Sequence, residues 1–227
     1  VKLRLLSYNI RSLRDDNEAL FRVIRSAQAD VVCLQEMPRF LRWRSTMAGI
    51  ARRTGMVVVT GGRPAGGNAI MSTLGVTVHA TQDVVLSRDR GQYLRGTAIA
   101  VLSRDGVRFT VAGTHLDLVE GPRLRHVGEL HHKIDELVPD GGPRIVAGDM
   151  NCKPGEPTWL ALTERATDVW AAVGDGDGYT FSADNPRRRI DGVFAGPGVR
   201  PVSATILHSP DTEVATDHCP LLVELEI

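Results

Sequence analysis

Arg144-Ile-Val-Ala-Gly-Asp-Met-Asn151 holds the pattern on which the fold of this chain turns. The run from Arg144 to Ala147 reads as a buried strand. It stops on two polar residues, Asp149 and Asn151. A strand that is apolar along its length and polar at its end delivers a functional group to the rim of a sheet. The same arrangement recurs along the chain. Asn9 ends the run containing Leu3 and Leu5. Gln35 and Glu36 end Asp30-Val-Val-Cys-Leu34, and His115 ends Phe109–Gly113. Asp191 sits beside Ile190 and Val193, and Asp217-His218 precede the run Leu221–Ile227. Strand ends converge at one rim of a sheet sandwich, so these distant residues can share a site.

Around these runs the sequence alternates short strands with a few helices. Asp15 and Glu18 have capping-box spacing ahead of the stripe Leu20, Val23, Ile24 and Ala27. A second helix is expected after Pro38, and a third opens at Gly121-Pro122 with Val127, Leu130, Ile134 and Leu137 on one face. Short runs at Met56–Thr60, Val76–His79, Val84–Leu86, Thr97–Leu102, Ile190–Ala195 and Val199–Leu207 read as strands. Val107, Phe109 and Val111 alternate as in a half-buried one. Many short strands need both faces covered, and two packed sheets with helices outside satisfy that need. No linker, repeat or low-complexity tract divides residues 1–227, so a single α/β domain is expected.

Bulk properties narrow the function. The 27 basic and 27 acidic side chains cancel, which argues against a sequence-independent grip on long nucleic acid but leaves room for a local basic patch. Three cysteines without a CxxC pair argue against a disulfide framework or a structural zinc site. A reducing, cytoplasmic setting is the simpler expectation. Secretion stays open, because a signal segment ahead of Val1 would have been removed. No apolar run reaches the roughly 18 residues of a membrane span. Nothing calls for an obligate protein partner.

Glu36, Asp149, Asp191 and Asp217 are carboxylates, and Asn9 and Asn151 are amides. These hard oxygen donors select Mg²⁺, Mn²⁺ or Ca²⁺ over zinc. Four carboxylates gathered without a cation would repel one another, and a divalent ion removes that cost. His115 and His218 add groups that exchange protons near neutral pH. Together they are equipment for polarising a phosphoryl oxygen and activating water.

Six segments then resemble, in order, the motifs of the endonuclease/exonuclease/phosphatase superfamily: Tyr8-Asn9, Leu34-Gln35-Glu36, Thr114-His115-Leu116, Gly148-Asp149-x-Asn151, Arg189-Ile190-Asp191 and Thr216-Asp217-His218-Cys219-Pro220. Any one of them is weak, but six in order are specific. The resemblance spans residues 8–220. It implies a four-layer αββα sandwich with two mostly antiparallel central sheets flanked by helices. It also implies a Mg²⁺ site, open to Mn²⁺, at Glu36 with Asn9, which Asp217 completes or accompanies. Asp149 would orient or deprotonate the attacking water, and Asn151 would donate to a phosphoryl oxygen. His218 would contact the phosphate with Asp191 fixing its tautomer, and His115 would be a second histidine for protonation or phosphate contact. Thr216 stands where serine is commoner and keeps the hydroxyl. No carboxylate partner for His115 is identifiable.

Other motifs read as structural. His131-His132 fits a solvated helix face, Asp175-Gly-Asp-Gly178 a turn, and Gly61–Gly67 a hairpin connection. Cys152 and Cys219 fit small packing positions. From Met37 to Gln82 there is no acidic residue but six arginines, with Phe40 and Trp43 among them. Arg39, Arg42 and Trp43 are therefore expected to face an anionic substrate, with Arg189 and its neighbours Arg187 and Arg188 on a second wall. The expected partner is a phosphate ester in a nucleic acid, a nucleotide or a phospholipid headgroup. A phosphodiesterase or nuclease is the first reading. A phosphatase or phospholipase of sphingomyelinase-like or inositol-phosphatase-like type is the second. A catalytically inactive phosphate-binding module is the third.

Overall fold

The computed structural model describes residues 1–227. In chain order its elements are β1 (Lys2–Asn9), α1 (Asn17–Ala27), β2 (Val31–Gln35), α2 (Trp43–Thr54), β3 (Val57–Gly62), β4 (Asn68–Ser72), β5 (Thr77–Val85), β6 (Gly96–Arg104) and β7 (Val107–His115). They continue with α3 (Glu120–Leu137), β8 (Arg144–Asp149), α4 (Pro157–Thr163), β9 (Thr167–Asp168), α5 (Val169–Val173), β10 (Asp191–Ala195), β11 (Arg200–Ile206), α6 (Pro210–Ala215) and β12 (Leu221–Glu226). Two six-stranded sheets form, ordered β11-β12-β1-β2-β4-β3 and β5-β6-β7-β8-β10-β9.

Side-chain alternation explains the layering. On β1, Leu3 and Leu5 point between the sheets with Val31, Cys33, Ala98, Phe109, Val111, Ile145 and Val223. Leu6 and Tyr8, of opposite parity, join Val32, Leu34, Met71, Leu20 and Ile50 under α1 and α2. On the other side, Ile99, Ala112, Val146 and Phe194 meet Val127, Leu130 and Trp159 of α3 and α4. Strands covered on both faces read as continuous apolar runs, which is why Leu5-Leu6 and Ile145-Val146 are uninterrupted. Three apolar layers separate four structural ones, as the αββα expectation requires.

Each sheet is antiparallel except for one parallel pair, β1 with β2 and β7 with β8. Their crossovers are α1 and α3. Parallel partners end together. Asn9 is therefore level with Gln35, and His115 is level with Asp149. β10 runs the other way and starts where β8 ends, placing Asp191 opposite Asp149. One rim thus receives the ends of four strands and the start of a fifth.

Several local expectations are corrected. α2 begins at Trp43 and not just after Pro38. Glu36 takes a left-handed φ of 56°, and Arg39 donates to the carbonyls of Gly66 (3.3 Å) and Leu94 (2.8 Å), which ties residues 36–42 down as a loop. The cap of α1 is Asp16, whose carboxylate accepts from the amides of Glu18 and Ala19, whereas Asp15 pairs with Arg11. The runs at Val76 and Val84 are one strand, β5, with its register shift between Val78 and Ala80. His131 is buried and only His132 is solvated. Strand β4 and helices α4, α5 and α6 were not anticipated, the helices being five to seven residues long and too short to display a period. No helix is long and apolar enough to cross a membrane.

Candidate active site

The rim is held by backbone as much as by side chains. Gly148 lies level with Thr114, and a Cβ there would come within 1.9 Å of the Thr114 carbonyl oxygen. Only glycine lets β8 approach β7 this closely, and that approach sets Asp149 beside His115. On the far side Thr180 clamps the start of β10, its hydroxyl lying 3.3 Å from the Asp191 amide. The Thr180 carbonyl accepts from the Cys219 amide at 2.7 Å, which draws the 216–219 turn onto the same rim. Thr216 donates its hydroxyl to the Asn9 carbonyl at 3.0 Å, closing the ring of segments.

Asp149 is the hub. Its Oδ2 accepts from Asn9 Nδ2 at 3.0 Å and lies 3.3 Å from His115 Nε2 and 3.7 Å from His218 Nε2. Its Oδ1 accepts from the Asn151 amide at 3.0 Å. Asn9 Nδ2 also reaches Glu36 Oε1 at 3.3 Å, and its Oδ1 accepts from the Arg11 amide. His218 Nδ1 is 2.9 Å from Asp191 Oδ2. Asn151 Nδ2 lies 2.9 Å from His115 Nε2 and donates to the Leu116 carbonyl at 3.0 Å. Asp217 is set back: its carboxylate pairs with Arg11 Nε at 3.2 Å. The strands therefore bring together Asn9, Glu36, His115, Asp149, Asn151, Asp191 and His218, with Asp217 at the margin.

The two histidines are driven apart electrically. Burial lowers the pKa of His115 to about 3, with Arg95, His218 and Arg39 adding to the effect and Asp149 opposing it. For His218, burial acts downward, but the charge and hydrogen bond of Asp191, with Asp149 and Asp217, outweigh it and raise the pKa to about 9. Without a bound cation, burial favours the neutral form of His115 and the Asp191 carboxylate favours the cationic form of His218, on either side of a shared carboxylate. Paired titratable groups with divergent environments are a signature of divided acid and base roles.

The donor set suits a hard divalent cation. One ligand atom each from Asp149, Asp191 and His218 lies within 4.8 Å of the others. That convergence is accounted for by the Asp191–His218 hydrogen bond. Glu36 and Asp149 converge on the uncharged amide of Asn9, with no cationic side chain in contact with Glu36. Asp191 Oδ1 and Asp117 Oδ2 are buried without a partner. Excess carboxylate charge with unused oxygen lone pairs fits such an ion.

Among the residues expected to meet substrate, Arg39, Arg42 and Trp43 line one cavity of about 570 Å³ with Phe40, Leu41 and Arg63. Trp43 is half-buried, with Arg44 stacked 4.2 Å over its ring. Arg189 is held by an ion pair: one guanidinium nitrogen donates to both oxygens of Asp168 at 2.9 Å, and the group stacks 4.8 Å over Trp159. Two residues escaped the sequence reading. Arg95, just ahead of β6, has its pKa lowered by burial against the opposing charges of Asp149, Asp117 and Glu36, so it faces the site. Asp117 is 2% exposed and follows His115 by two positions. The available signal was a charged residue next to a buried strand, and many surface residues share it. Cys152 and Cys219 are buried packing residues whose thiols burial pushes up, to about 12 and about 11.

The fold is a four-layer αββα sandwich that gathers buried carboxylates and two histidines on one rim. The family model described as "Endonuclease/Exonuclease/phosphatase family" matches residues 6–218, and the chain belongs to that family, whose members are phosphoesterases. No curated protein sequence matches it significantly. Solved structures show the same fold. An endonuclease/exonuclease/phosphatase of Bacteroides vulgatus superposes with a TM-score of 0.81 at 21% identity, covering 100% of this chain and 99% of that one. A mannosyl-6-phosphatase of Bacteroides thetaiotaomicron gives 0.83 at 18% identity, covering 99% and 100%. The D. rerio protein TDP2, complexed with a single-stranded DNA product, gives 0.73 at 17% identity, covering 100% and 99%.

Proposed function

We propose that this protein is a Mg²⁺-dependent phosphodiesterase, with Mn²⁺ able to substitute, that hydrolyses its ester by attack of an activated water. The observation that carries this reading is the hub geometry of Asp149, one oxygen facing His115, His218 and Asn9 and the other fixed by the Asn151 amide. Glu36 would hold the cation, with Asn9 donating to the Glu36 carboxylate through Nδ2 and Asp217 at the margin of the site. When bound, the cation supplies charge neutralisation at the phosphoryl group and favours ionisation of water. Asp149 orients that water and accepts its proton. His218, cationic through Asp191, donates to a phosphoryl oxygen as negative charge develops there. Asn151 contributes a second donor. His115, kept neutral by burial, offers a hydrogen bond without adding charge.

A specific observation favours phosphatase or phospholipase action as the second reading. Phe40 and Leu41 are 83% and 91% exposed beside Arg39 and Arg42, an arrangement suited to a phospholipid headgroup at an interface. A substrate panel with Mg²⁺ decides between them: plasmid DNA, abasic duplex, RNA, sphingomyelin, inositol phosphates and a chromogenic diester. Turnover of nucleic acid with steep salt sensitivity supports the nuclease. Turnover of sphingomyelin or monoesters alone supports the second reading. An inert protein across the whole panel would overturn both.

A further inference from the structure

A cavity of about 550 Å³ opens beside the rim, lined among others by Lys153, Trp170, Asp177, Tyr179, Arg187 and Arg188. We propose that it is a subsite for a second, non-scissile phosphate of the substrate. The inference rests on the phosphoester reading above and deepens it.

The cations of this cavity are uncommitted. Some surface arginines pair with acids, as Arg4 does with Glu224, Arg22 with Asp211 and Arg165 with Asp135. Others, such as Arg52 and Arg108, stand alone, so what marks this cavity is that three unpaired cations share one concavity. Lys153, Arg187 and Arg188 form no ion pair, and all three are exposed. The Arg187 side chain donates only to the Asn185 amide oxygen, at 3.3 Å. Arg188 stacks 4.4 Å over the Phe181 ring. Arg189 lines the same cavity but is committed to Asp168, and Asp177 is the only acid in the lining. In a protein of zero net charge, three free cations around one concavity are a local positive field that attracts and fixes an anion.

The cavity shares a wall with the chemistry. Phe181, whose outer contact is Arg188, stacks edge-on against His218 with centroids 4.9 Å apart. Phe181 is also bridged through its backbone to both Arg188 and His218. Lys153 follows Asn151 by two residues. A phosphoester seated at His218 and Asn151 would therefore extend its next phosphate toward Arg188, Arg187 and Lys153, with Trp170 and Tyr179 beside it. Such a ligand is a strand of nucleic acid or a small bisphosphate, and both present the same chemistry.

Equilibrium binding to the metal-free protein in chelator tests the subsite apart from turnover. The probes are a thymidine dinucleotide with and without a 5′-phosphate, and glucose bisphosphate against glucose monophosphate. The expected result is about tenfold tighter binding for the added phosphate in at least one pair. The gain should vanish in the Lys153→Gln/Arg187→Gln/Arg188→Gln variant, whose melting temperature stays close to that of the parent. A gain confined to the dinucleotide identifies a strand as the source, and a gain in the sugar pair identifies a small bisphosphate. Equal binding within both pairs, or a gain that survives the triple substitution, would overturn the subsite. The parent protein's turnover of a chromogenic diester with Mg²⁺ is read separately. Its absence would sink the hydrolase reading while leaving the binding result to stand or fall alone.

Discussion

His218 Nδ1 lies 2.9 Å from Asp191 Oδ2, and both side chains are almost wholly withdrawn from solvent. Asp191 thereby does two things to one ring. It fixes the orientation that turns Nε2 toward Asp149, 3.7 Å away, and it stabilises the imidazolium against the cost of burial. The register explains why this is possible. Asp191 is level with Asp149 on neighbouring strands, and His218 reaches both from the turn before β12.

Asp191→Asn should therefore lower turnover of a phosphodiester by about 10²–10⁴-fold while the fold survives. A structural role alone would not move the titration of His218. In metal-free protein followed by NMR, that ring should titrate near pH 9, above its ordinary value, and shift downward in the variant because a carboxylate that favoured the cation has gone. An unchanged titration would refute the assignment of Asp191 as its orienting partner.

The strands that carry this pair were legible in the sequence because they are buried on both faces. β10 and β12 announced themselves as apolar runs beside polar residues, and the order of six such segments pointed to the rim. The conformation of the rim was not legible. Glu36 adopts a left-handed φ of 56°, for which glutamate has no local preference, while Asn151 adopts one of 50°, a conformation that asparagine tolerates but its sequence does not impose. Arg95 and Arg189 show the same limit from opposite sides. Both are arginines next to buried strands, yet one turns toward the acids and the other into a buried ion pair, and only tertiary packing distinguishes them.

Metal binding should be measurable without turnover. Mg²⁺ at 100 times its dissociation constant would stabilise the native state by about 2.7 kcal/mol, visible as a raised melting temperature. Glu36→Gln keeps the size and removes the charge, so the rise should shrink or vanish. Chelator should abolish hydrolysis, and Mg²⁺ should restore it. An equal thermal shift in parent and variant would move the cation to another carboxylate.

Arg189→Met should reduce stability more than substrate affinity. Its side chain is 10% exposed and that of Asp168 is 7% exposed, so the substitution strands a buried carboxylate. Removing one partner of a buried pair costs about 3–5 kcal/mol. Asp168 retains bonds from Trp159 Nε1 and the Ala171 amide, which favours the lower end. Urea unfolding measures the loss. A fully stable variant with a raised KM would restore Arg189 to the substrate-binding set.

His131 links stability to pH outside the site. It is buried on α3, and its Nε2 has no hydrogen-bond partner. Burial, helped by Arg165 and Arg144 against Asp135, lowers its pKa from 6.5 to about 4. Between those values the unfolded chain binds the proton and the folded one does not. Its stabilising contribution is therefore complete above pH 6.5 and is lost on acidification toward pH 4, at up to about 1.4 kcal/mol per pH unit. His131→Leu, which fills similar space without a titrating group, should lose less stability than the parent when urea midpoints at pH 7 and pH 4.5 are compared. His115 acts in the same direction and is present in both proteins, so the difference between the two slopes isolates His131. Coincident slopes would mean that the ring takes up its proton in the folded state.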